Sequence, residues 1–243
     1  MLTFLLMSNS FSTQYKQQFV PLKEILFPFQ NTIMYGSRFP SYALLGALAV
    51  LSTVNAHGYV TNPPSRQASC KQGTKDKALC GGVQYEPQSV EALKGGPFHR
   101  DVGAAVCNGN GARFDELNTQ GSTLWPKSAA IVGQDIDVGW LMTSSRKTTG
   151  YYYYATKQDW DQSKATRLTK EDFDEIPILY VDGHHETSPI EVVHTLLPSQ
   201  LGTRSGYTVI LAVWETADTP NSFYNCLDLE LLPPKGMTIQ GAL

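Results

Sequence analysis

The chain has 243 residues, of which 19 are basic and 22 are acidic. Three basic residues and one acidic residue precede residue 57, so the remainder holds 16 basic and 21 acidic residues, a formal charge of −5. It contains no basic run and no basic amphipathic helix pattern, which excludes nucleic acid and anionic membranes as expected partners.

The N-terminal region carries the pattern of a secretion signal. Arg38 precedes an apolar run that ends at the small-residue site Val54-Asn55-Ala56, and this order is typical of a signal peptide cleaved before His57. The run is too short for a membrane span, and no later segment approaches about 20 apolar residues. We therefore predict a secreted, extracellular protein without a membrane anchor.

These signals divide the chain into three parts. Residues 34–56 form the predicted signal peptide, because Met34 opens an ordinary signal sequence. Residues 1–33 fit no signal pattern, and we interpret them as a wrongly assigned start or an extension. Residues 57–243 suffice for one domain with a hydrophobic core, and we expect a monomer.

All four cysteines follow residue 57, and an even number in an exported chain predicts two disulfides. A bond between Cys70 and Cys80 would close a short local loop, which leaves Cys107 and Cys226 to join an early loop to the C-terminal strand. A zinc site is the alternative, but the chain lacks the spacings typical of zinc ligands.

The body of the chain is predicted to be all-β. Four segments are rich in β-branched and aromatic residues: "DIDVGWLMTS", "TTGYYYYATK", "YTVILAVWET" and "SFYNCLDLELL". Short helical turns are predicted only around "PQSVEAL" and "RFDELN", within an irregular region over about residues 61–125. Because side chains alternate along a strand, two of the tyrosines in Tyr151–Tyr154 should face the core. The pattern favours a β-sandwich with one elaborated face.

A histidine that begins a mature chain has its own metal chemistry. The free α-amine and ring Nδ1 of His57 could chelate one ion, and a nitrogen from a second histidine would complete a three-nitrogen site of the kind copper prefers. On its own this is weak support, since some residue must follow any cleavage site.

The motifs around His57 strengthen the interpretation that this residue binds a metal ion. "HGYVTNPPSR", "CGGVQYEPQSVEALKG", "FDELN", "LWPK", "YYYYATKQDWD" and "LAVWETADTPNSFYNCLDLEL" together resemble the chitin-active lytic polysaccharide monooxygenases, also called type-4 chitin-binding domains. The resemblance covers essentially the whole chain from His57. It implies a fibronectin/immunoglobulin-like β-sandwich, copper as cofactor, and crystalline chitin rather than cellulose as the partner.

The resemblance also implies site residues. His57 matches the metal-binding N-terminal histidine, and Phe223 matches the aromatic residue that caps the axial copper position. The flat polysaccharide-binding surface is matched by Tyr85, Glu86, Glu91, Asp218 and Asn221. Without the resemblance, Glu91 would be interpreted as a solvated helix residue, and Asp218 and Asn221 as ordinary turn formers.

One position departs from the family pattern. The second copper histidine belongs to a segment W-x-L-T-A-x-H-x-T-x-x-W-x-Y-x-x-T-K, and here "WLMTSSRKTTGYYYYATK" places Arg146 at the histidine position and Ser144 at the alanine. A guanidinium has no acceptor atom and cannot bind a metal. Its charge would also repel copper, by about 4 kcal/mol per pair of unit charges ~4 Å apart at an effective dielectric constant of ~20.

Two hypotheses follow. The first is a non-catalytic chitin-binding protein in which Arg146 hydrogen-bonds chitin carbonyls or pairs with Glu91. The second is an active copper monooxygenase with an altered site, to which His99 could contribute; His184, His185 and His194 are expected to have no metal role. Binding to other glycans is a more distant alternative, and hydrolysis would require two carboxylates in a cleft.

Overall fold

The computed structural model describes residues 57–99, 103–121, 123–163 and 166–234. The predicted signal peptide and the segment before it lie outside the described residues. No helix in the described part of the chain is long and apolar enough to cross a membrane.

The described residues form nine strands in two sheets, as the sequence predicted. The strands are β1 (His57–Asn62), β2 (Glu91–Leu93), β3 (Ser128–Ile131), β4 (Ile136–Ser144), β5 (Thr148–Ala155), β6 (Leu179–Asp182), β7 (Glu191–Leu196), β8 (Gly206–Thr216) and β9 (Asn221–Leu232). The smaller sheet has the order β1-β4-β7, and the larger has the order β2-β9-β8-β5-β6 with β3 parallel to β9. The four predicted strands are confirmed as β4, β5, β8 and β9.

Helical structure is short. Two α-helices occur in the described residues, α1 (Arg66–Gln72) and α2 (Pro198–Leu201), and six 3₁₀ turns accompany them: Lys77–Leu79, Gly81–Gln84, Pro87–Ser89, Pro97–His99, Asp115–Asn118 and Lys170–Asp172. Both predicted helical turns are present, but the first ends at Ser89. Glu91 lies in a strand, so its interpretation as a helix residue is wrong.

The hydrophobic interior has two parts. One lies between the sheets and contains Trp140, Tyr151, Tyr153, Trp214 and Phe223. The other lies under the long loop region and contains Phe114, Leu117, Trp125, Phe173 and Tyr224. Strand β8 is buried on both faces because it contributes to both parts, which explains its nearly continuous run of apolar residues.

The tyrosine run follows the predicted alternation. Tyr151 and Tyr153 are buried between the sheets, whereas Tyr152 and Tyr154 are half-buried on the opposite face of β5.

Covalent and ionic links fasten the loop region to the sheet. Both predicted disulfides are confirmed, Cys70–Cys80 and Cys107–Cys226. The second joins the loop region to β9, and the buried guanidinium of Arg66 does the same through Asp228, with an Nη2 to Oδ1 distance of 2.8 Å. These links hold the loop region in position at one end of the sandwich.

Candidate functional site

Side chains from several segments meet at one end of the sandwich, at the start of β1, in the β4–β5 and β8–β9 turns, and beside β2. We call this group the His57 cluster, and it comprises His57, Ser89, Glu91, Arg146, Asp218, Asn221 and Phe223. Antiparallel pairing produces the cluster, because it aligns the beginning of one strand with the end of its neighbour.

His57 is held by strand pairing and by two side-chain contacts. It lies opposite Ser144 in the β1–β4 ladder. Its ring Nδ1 is 3.4 Å from the hydroxyl oxygen of Ser89, and its ring meets the edge of Phe223 with centroids 6.5 Å apart. Phe223 is fully buried and packs against Trp214 at 5.0 Å, so the aromatic wall beside His57 is rigid.

Arg146 lies in the turn between β4 and β5, two residues beyond Ser144. Its Nη1 is 3.5 Å from Oδ2 of Asp218, and the two side chains are 18% and 34% exposed. Its backbone is fixed by the segment before β7, since the amide of Ser188 donates to the carbonyl of Arg146 at 2.9 Å. The Nε of Arg146 is buried and has no hydrogen-bond partner among the described residues.

Glu91 has a different partner from the one hypothesised. The amide nitrogen of Asn221 donates to Oε2 of Glu91 at 3.1 Å, while Glu91 lies opposite Phe223 in the β2–β9 ladder. The hypothesis that Arg146 pairs with Glu91 is therefore wrong. The turn-former interpretation of Asn221 is incomplete, because its side chain joins two strands at this end of the sheet.

Tyr85 and Glu86 lie between the 3₁₀ turns Gly81–Gln84 and Pro87–Ser89. Tyr85 is 78% exposed, as a ring available for contact with a flat ligand requires. Glu86 forms an exposed ion pair with Arg113, whose guanidinium also lies 4.3 Å from the ring centre of Phe114. The carboxylate of Glu86 is thus directed along the surface of the loop region.

The residues present do not fit the three-nitrogen copper site that the resemblance implies. His57 could supply its ring nitrogen and, after cleavage, its α-amine. Arg146, which aligns with the second histidine of the family pattern, offers only donors and is paired with Asp218. Within the described ranges, no group of three or more His, Cys, Asp or Glu side chains could hold a metal ion.

Two other histidines have identifiable environments. His99 lines a separate cavity together with Tyr154, and this position does not support its suggested role as a replacement ligand. His194 is half-buried beside Tyr153, with 2.7 Å between its Nδ1 and the tyrosine hydroxyl. Burial lowers the pKa of His194 to about 4.

Sequence reasoning missed Ser89 and Ser188. Ser89 is part of the quoted motif "QYEPQSVE", but nothing in the sequence indicated contact with a residue 32 positions away. Ser188 belongs to a segment for which no strand was predicted. The contacts of Ser89 with His57 and of Ser188 with Arg146 depend on how the loops pack beside the strands, which the sequence does not show.

Comparison with known proteins agrees with the fold and with the motifs. The sequence model of a family described as lytic polysaccharide mono-oxygenase, cellulose-degrading, matches residues 57–229, and the chain belongs to this family. A solved structure of an AA10 lytic polysaccharide monooxygenase from Streptomyces lividans superposes with a TM-score of 0.64 at 35% identity, covering 72% of this chain and all of that one.

Among curated proteins, the chain is 40% identical over 204 residues to the AA10 family lytic polysaccharide monooxygenase C of Mycosarcoma maydis, and 39% identical over 184 residues to GlcNAc-binding protein A of Shewanella oneidensis. These matches cover 83% and 76% of this chain but only 61% and 37% of the relatives. The chain thus spans less than two thirds of the length of these relatives.

Proposed function

We propose that this chain is a secreted protein that binds crystalline chitin through the His57 cluster and Tyr85, without copper-dependent cleavage of the polysaccharide. The pairing of Arg146 with Asp218 is the observation that carries this proposal, because the family pattern aligns Arg146 with the second copper histidine. Cleavage before His57 is part of it, and is supported by the family match, which begins at that residue.

Chitin is favoured over cellulose. The family description names cellulose, but a relative of 39% identity is named for binding GlcNAc, the repeating unit of chitin. An acetamide group presents a carbonyl oxygen that a guanidinium can bind, and cellulose has no such group. Arg146 offers its partly exposed Nη atoms for this contact, while Asp218 holds the guanidinium in one orientation.

The surface suits an insoluble ligand. Tyr85 exposes most of its ring, which can stack on one face of a sugar, and the pair Glu91–Asn221 presents both acceptor and donor groups. Because Glu91 and Asn221 are already hydrogen-bonded to each other, these two side chains lose little conformational entropy when they contact a flat crystal face.

Loss of copper binding follows from the chemistry of Arg146. A site with two nitrogens from one residue and a guanidinium at the third position lacks a ligand and adds a positive charge. The variant Arg146→His restores the ligand set of the family, and we expect it to bind Cu²⁺ at least about 100-fold more tightly than the wild type.

The first experiment is a Cu²⁺ titration of protein processed to begin at His57, by calorimetry and electron paramagnetic resonance, with Arg146→His and Arg146→Gln in parallel. Weak binding by the wild type and by Arg146→Gln, with tight binding by Arg146→His, supports the proposal. The glutamine variant separates removal of the charge from addition of the ligand. Tight binding of Cu²⁺ by the wild type would overturn the proposal.

Retention on crystalline chitin tests the binding half of the proposal. We expect wild type to be retained with or without a chelator, and Tyr85→Ala to be retained up to about tenfold less, since a stacking contact of an aromatic ring is worth about 0.5–1.5 kcal/mol. The alternative function, an active monooxygenase with an altered copper site, is supported by the retained His57 and Phe223. Release of oxidised chitooligosaccharides by the wild type with copper and a reductant would establish that alternative.

A further inference from the structure

The cavity lined by His99 and Tyr154 lies on the opposite face of the larger sheet from Phe223. It has a volume of about 120 Å³, and its polar and aromatic lining comprises Phe98, His99, Tyr152, Tyr154, Glu215 and Ser222. Ser222 and Phe223 are consecutive in β9 and therefore point to opposite faces of the sheet. The cavity is thus distinct from the His57 cluster.

The fixed charge that lines this cavity is negative. Glu215 belongs to β8 and lies opposite Gly150 in β5 and Ser222 in β9. Burial, and then the negative charge of Glu215, raise the pKa of both Tyr152 and Tyr154 to about 12. The two phenols therefore remain protonated near neutral pH, and no ion pair among the described residues engages Glu215.

Aromatic rings form the rest of the lining. The rings of Phe98 and Tyr154 are packed with centroids 4.4 Å apart, and the ring of Tyr152 contacts Tyr180 at 4.8 Å. Aromatic faces attract cations through their quadrupole, and they also stack on the apolar faces of sugar rings. A carboxylate beside such rings therefore selects a ligand that combines a positive charge with a ring.

The hydroxyl of Ser222 is an independent sign of a ligand. Ser222 is 1% exposed, lines the cavity, and its Oγ has no hydrogen-bond partner among the described residues. Native proteins seldom leave a buried hydroxyl without a hydrogen-bond partner, because its lost hydration is then not compensated. A hydroxyl or amine of a bound molecule would satisfy it.

We propose that this cavity binds the amine-bearing edge of one glucosamine unit, the deacetylated form of the sugar in chitin. The ammonium group would lie between Glu215 and the rings of Tyr152 and Tyr154, and an adjacent sugar hydroxyl would pair with Ser222. The size of the cavity fits part of one pyranose ring rather than a longer chain. The proposal rests on the proposed glycan-binding function, which it extends to partly deacetylated chitin.

The experiment compares three soluble trisaccharides, those of glucosamine, N-acetylglucosamine and glucose, by calorimetry and NMR at about pH 6. The glucosamine trimer tests the amine, the acetylated trimer removes its charge, and cellotriose keeps the ring without nitrogen. We expect wild type to bind the glucosamine trimer at least tenfold more tightly than either of the other two.

Matched variants locate the contact. Glu215→Gln keeps the shape and removes the charge, and we expect it to weaken binding of the glucosamine trimer at least tenfold. Glu191→Gln, on the exposed face of β7 in the other sheet, removes the same charge elsewhere and should leave that affinity unchanged. Ser222→Ala provides a second test, with an expected three- to tenfold loss.

Equal loss in Glu215→Gln and Glu191→Gln would show attraction to an acidic protein rather than a site, and would overturn the proposal. So would absence of binding to wild type, or a preference for the acetylated trimer. Melting temperatures of the variants verify folding, and ligand-induced NMR shifts in the wild type test the site without any substitution. Retention on crystalline chitin is measured separately, so either proposal can fail without the other.

Discussion

The half-buried imidazole of His194 is kept neutral by its surroundings. Trp140 donates its indole N–H to the hydroxyl of Tyr153 at 2.8 Å, and that hydroxyl lies 2.7 Å from Nδ1 of His194. Because tryptophan can only donate, the tyrosine hydroxyl has its own proton available for His194, whose Nδ1 then acts as an acceptor. Protonation of Nδ1 would reverse this bond, because the ring would then donate to the tyrosine oxygen, and it would place a charge in a half-buried position.

This arrangement predicts a pH dependence of stability. Burial lowers the pKa of His194 from 6.5 to about 4, so between these values the unfolded chain binds a proton that the folded chain does not. The free energy of unfolding should therefore decrease as the pH falls from about 6.5 to 4, by up to about 3 kcal/mol from this residue.

Urea denaturation at about pH 7 and pH 4.5 measures the effect. In His194→Gln, the side-chain oxygen can accept from Tyr153 but does not titrate, so the decrease attributable to this residue should disappear. His184→Gln, a change at an exposed histidine, serves as the control. If His194→Gln retained the full pH dependence of the wild type, the neutral buried state would be refuted.

At the scale of elements, helix α1 illustrates what local signals can and cannot predict. The hydroxyl of Ser65 caps its first turn by accepting from the amide of Ala68, and Gly73 ends it with a left-handed φ of 77°. These caps are visible in the sequence, but the helix buries polar residues such as Arg66 and Gln67. Both side chains donate to residues of β9, and Arg66 also donates to residues 117–120, so no apolar period indicated a helix.

Two glycines in the loop region should respond differently to the same substitution. Both Gly73 and Gly109 have positive φ, but an added Cβ at Gly73 would meet only the end of a lysine side chain at 3.6 Å. At Gly109 it would lie 2.4 Å from the ring of the buried Tyr224. We expect Gly73→Ala to cost about 1 kcal/mol, and Gly109→Ala to cost about 3 kcal/mol or more.

Chemical denaturation of the two variants provides the comparison. The first substitution tests backbone conformation alone, and the second adds a steric conflict with the interior under the loop region. Equal losses would mean that the loop carrying Gly109 moves away from Tyr224 at little cost, in which case the packing described for this region would be wrong.

The strands show the same division between local and long-range information. Strands β8 and β9 were predicted from the sequence because long runs of β-branched and aromatic residues cross the interior. Strands β2 and β3 are short and lie at the side of the larger sheet, where tertiary pairing rather than composition defines them.

The sequence motifs predicted which residues belong to the site, but not which of them contact each other. The resemblance identified the members of the His57 cluster except Ser89, and the gapless alignment from Trp140 to Lys157 located the substitution at Arg146. The partner of Arg146 was not predictable, because Asp218 and Glu91 are both acidic and both come from motifs of the same surface. Only the strand register decides between them, by placing Asn221 beside Glu91.

At the scale of the whole molecule, the loop region and the sandwich depend on each other. The loop region supplies β2 and the Ser89 contact to His57, and it covers one face of the larger sheet. Besides the pairing of β2 with β9, it is attached to β9 by the disulfide Cys107–Cys226 and by the buried ion pair of Arg66 with Asp228. Arg66→Met should cost about 3–5 kcal/mol in unfolding experiments, because it leaves Asp228 charged and unpaired in the interior.

The double variant Arg66→Met/Asp228→Asn provides the control for that measurement. It removes both charges while keeping similar volumes, and it should recover part of the loss. A single variant as stable as the wild type would contradict the described network, in which the guanidinium also donates to the carbonyl of Leu117 and to Gln120.

The two disulfides should contribute unequally. A cross-link stabilises the folded state mainly by restricting the unfolded chain, and the effect grows with the length of the closed loop. Cys107–Cys226 spans 119 residues and Cys70–Cys80 spans 10. Replacing the first pair by alanines should cost about 5 kcal/mol, and replacing the second pair about 2.5 kcal/mol.

Urea denaturation of the two double-alanine variants tests this order, and retention on chitin adds a functional measure. Loss of Cys107–Cys226 frees the loop region from β9, so retention should fall at urea concentrations where the variant without Cys70–Cys80 is still bound. If both variants lost the same stability and the same retention, the loop region would be fixed by its buried contacts alone. The long disulfide would then have no special part in holding the loop residues of the His57 cluster in place.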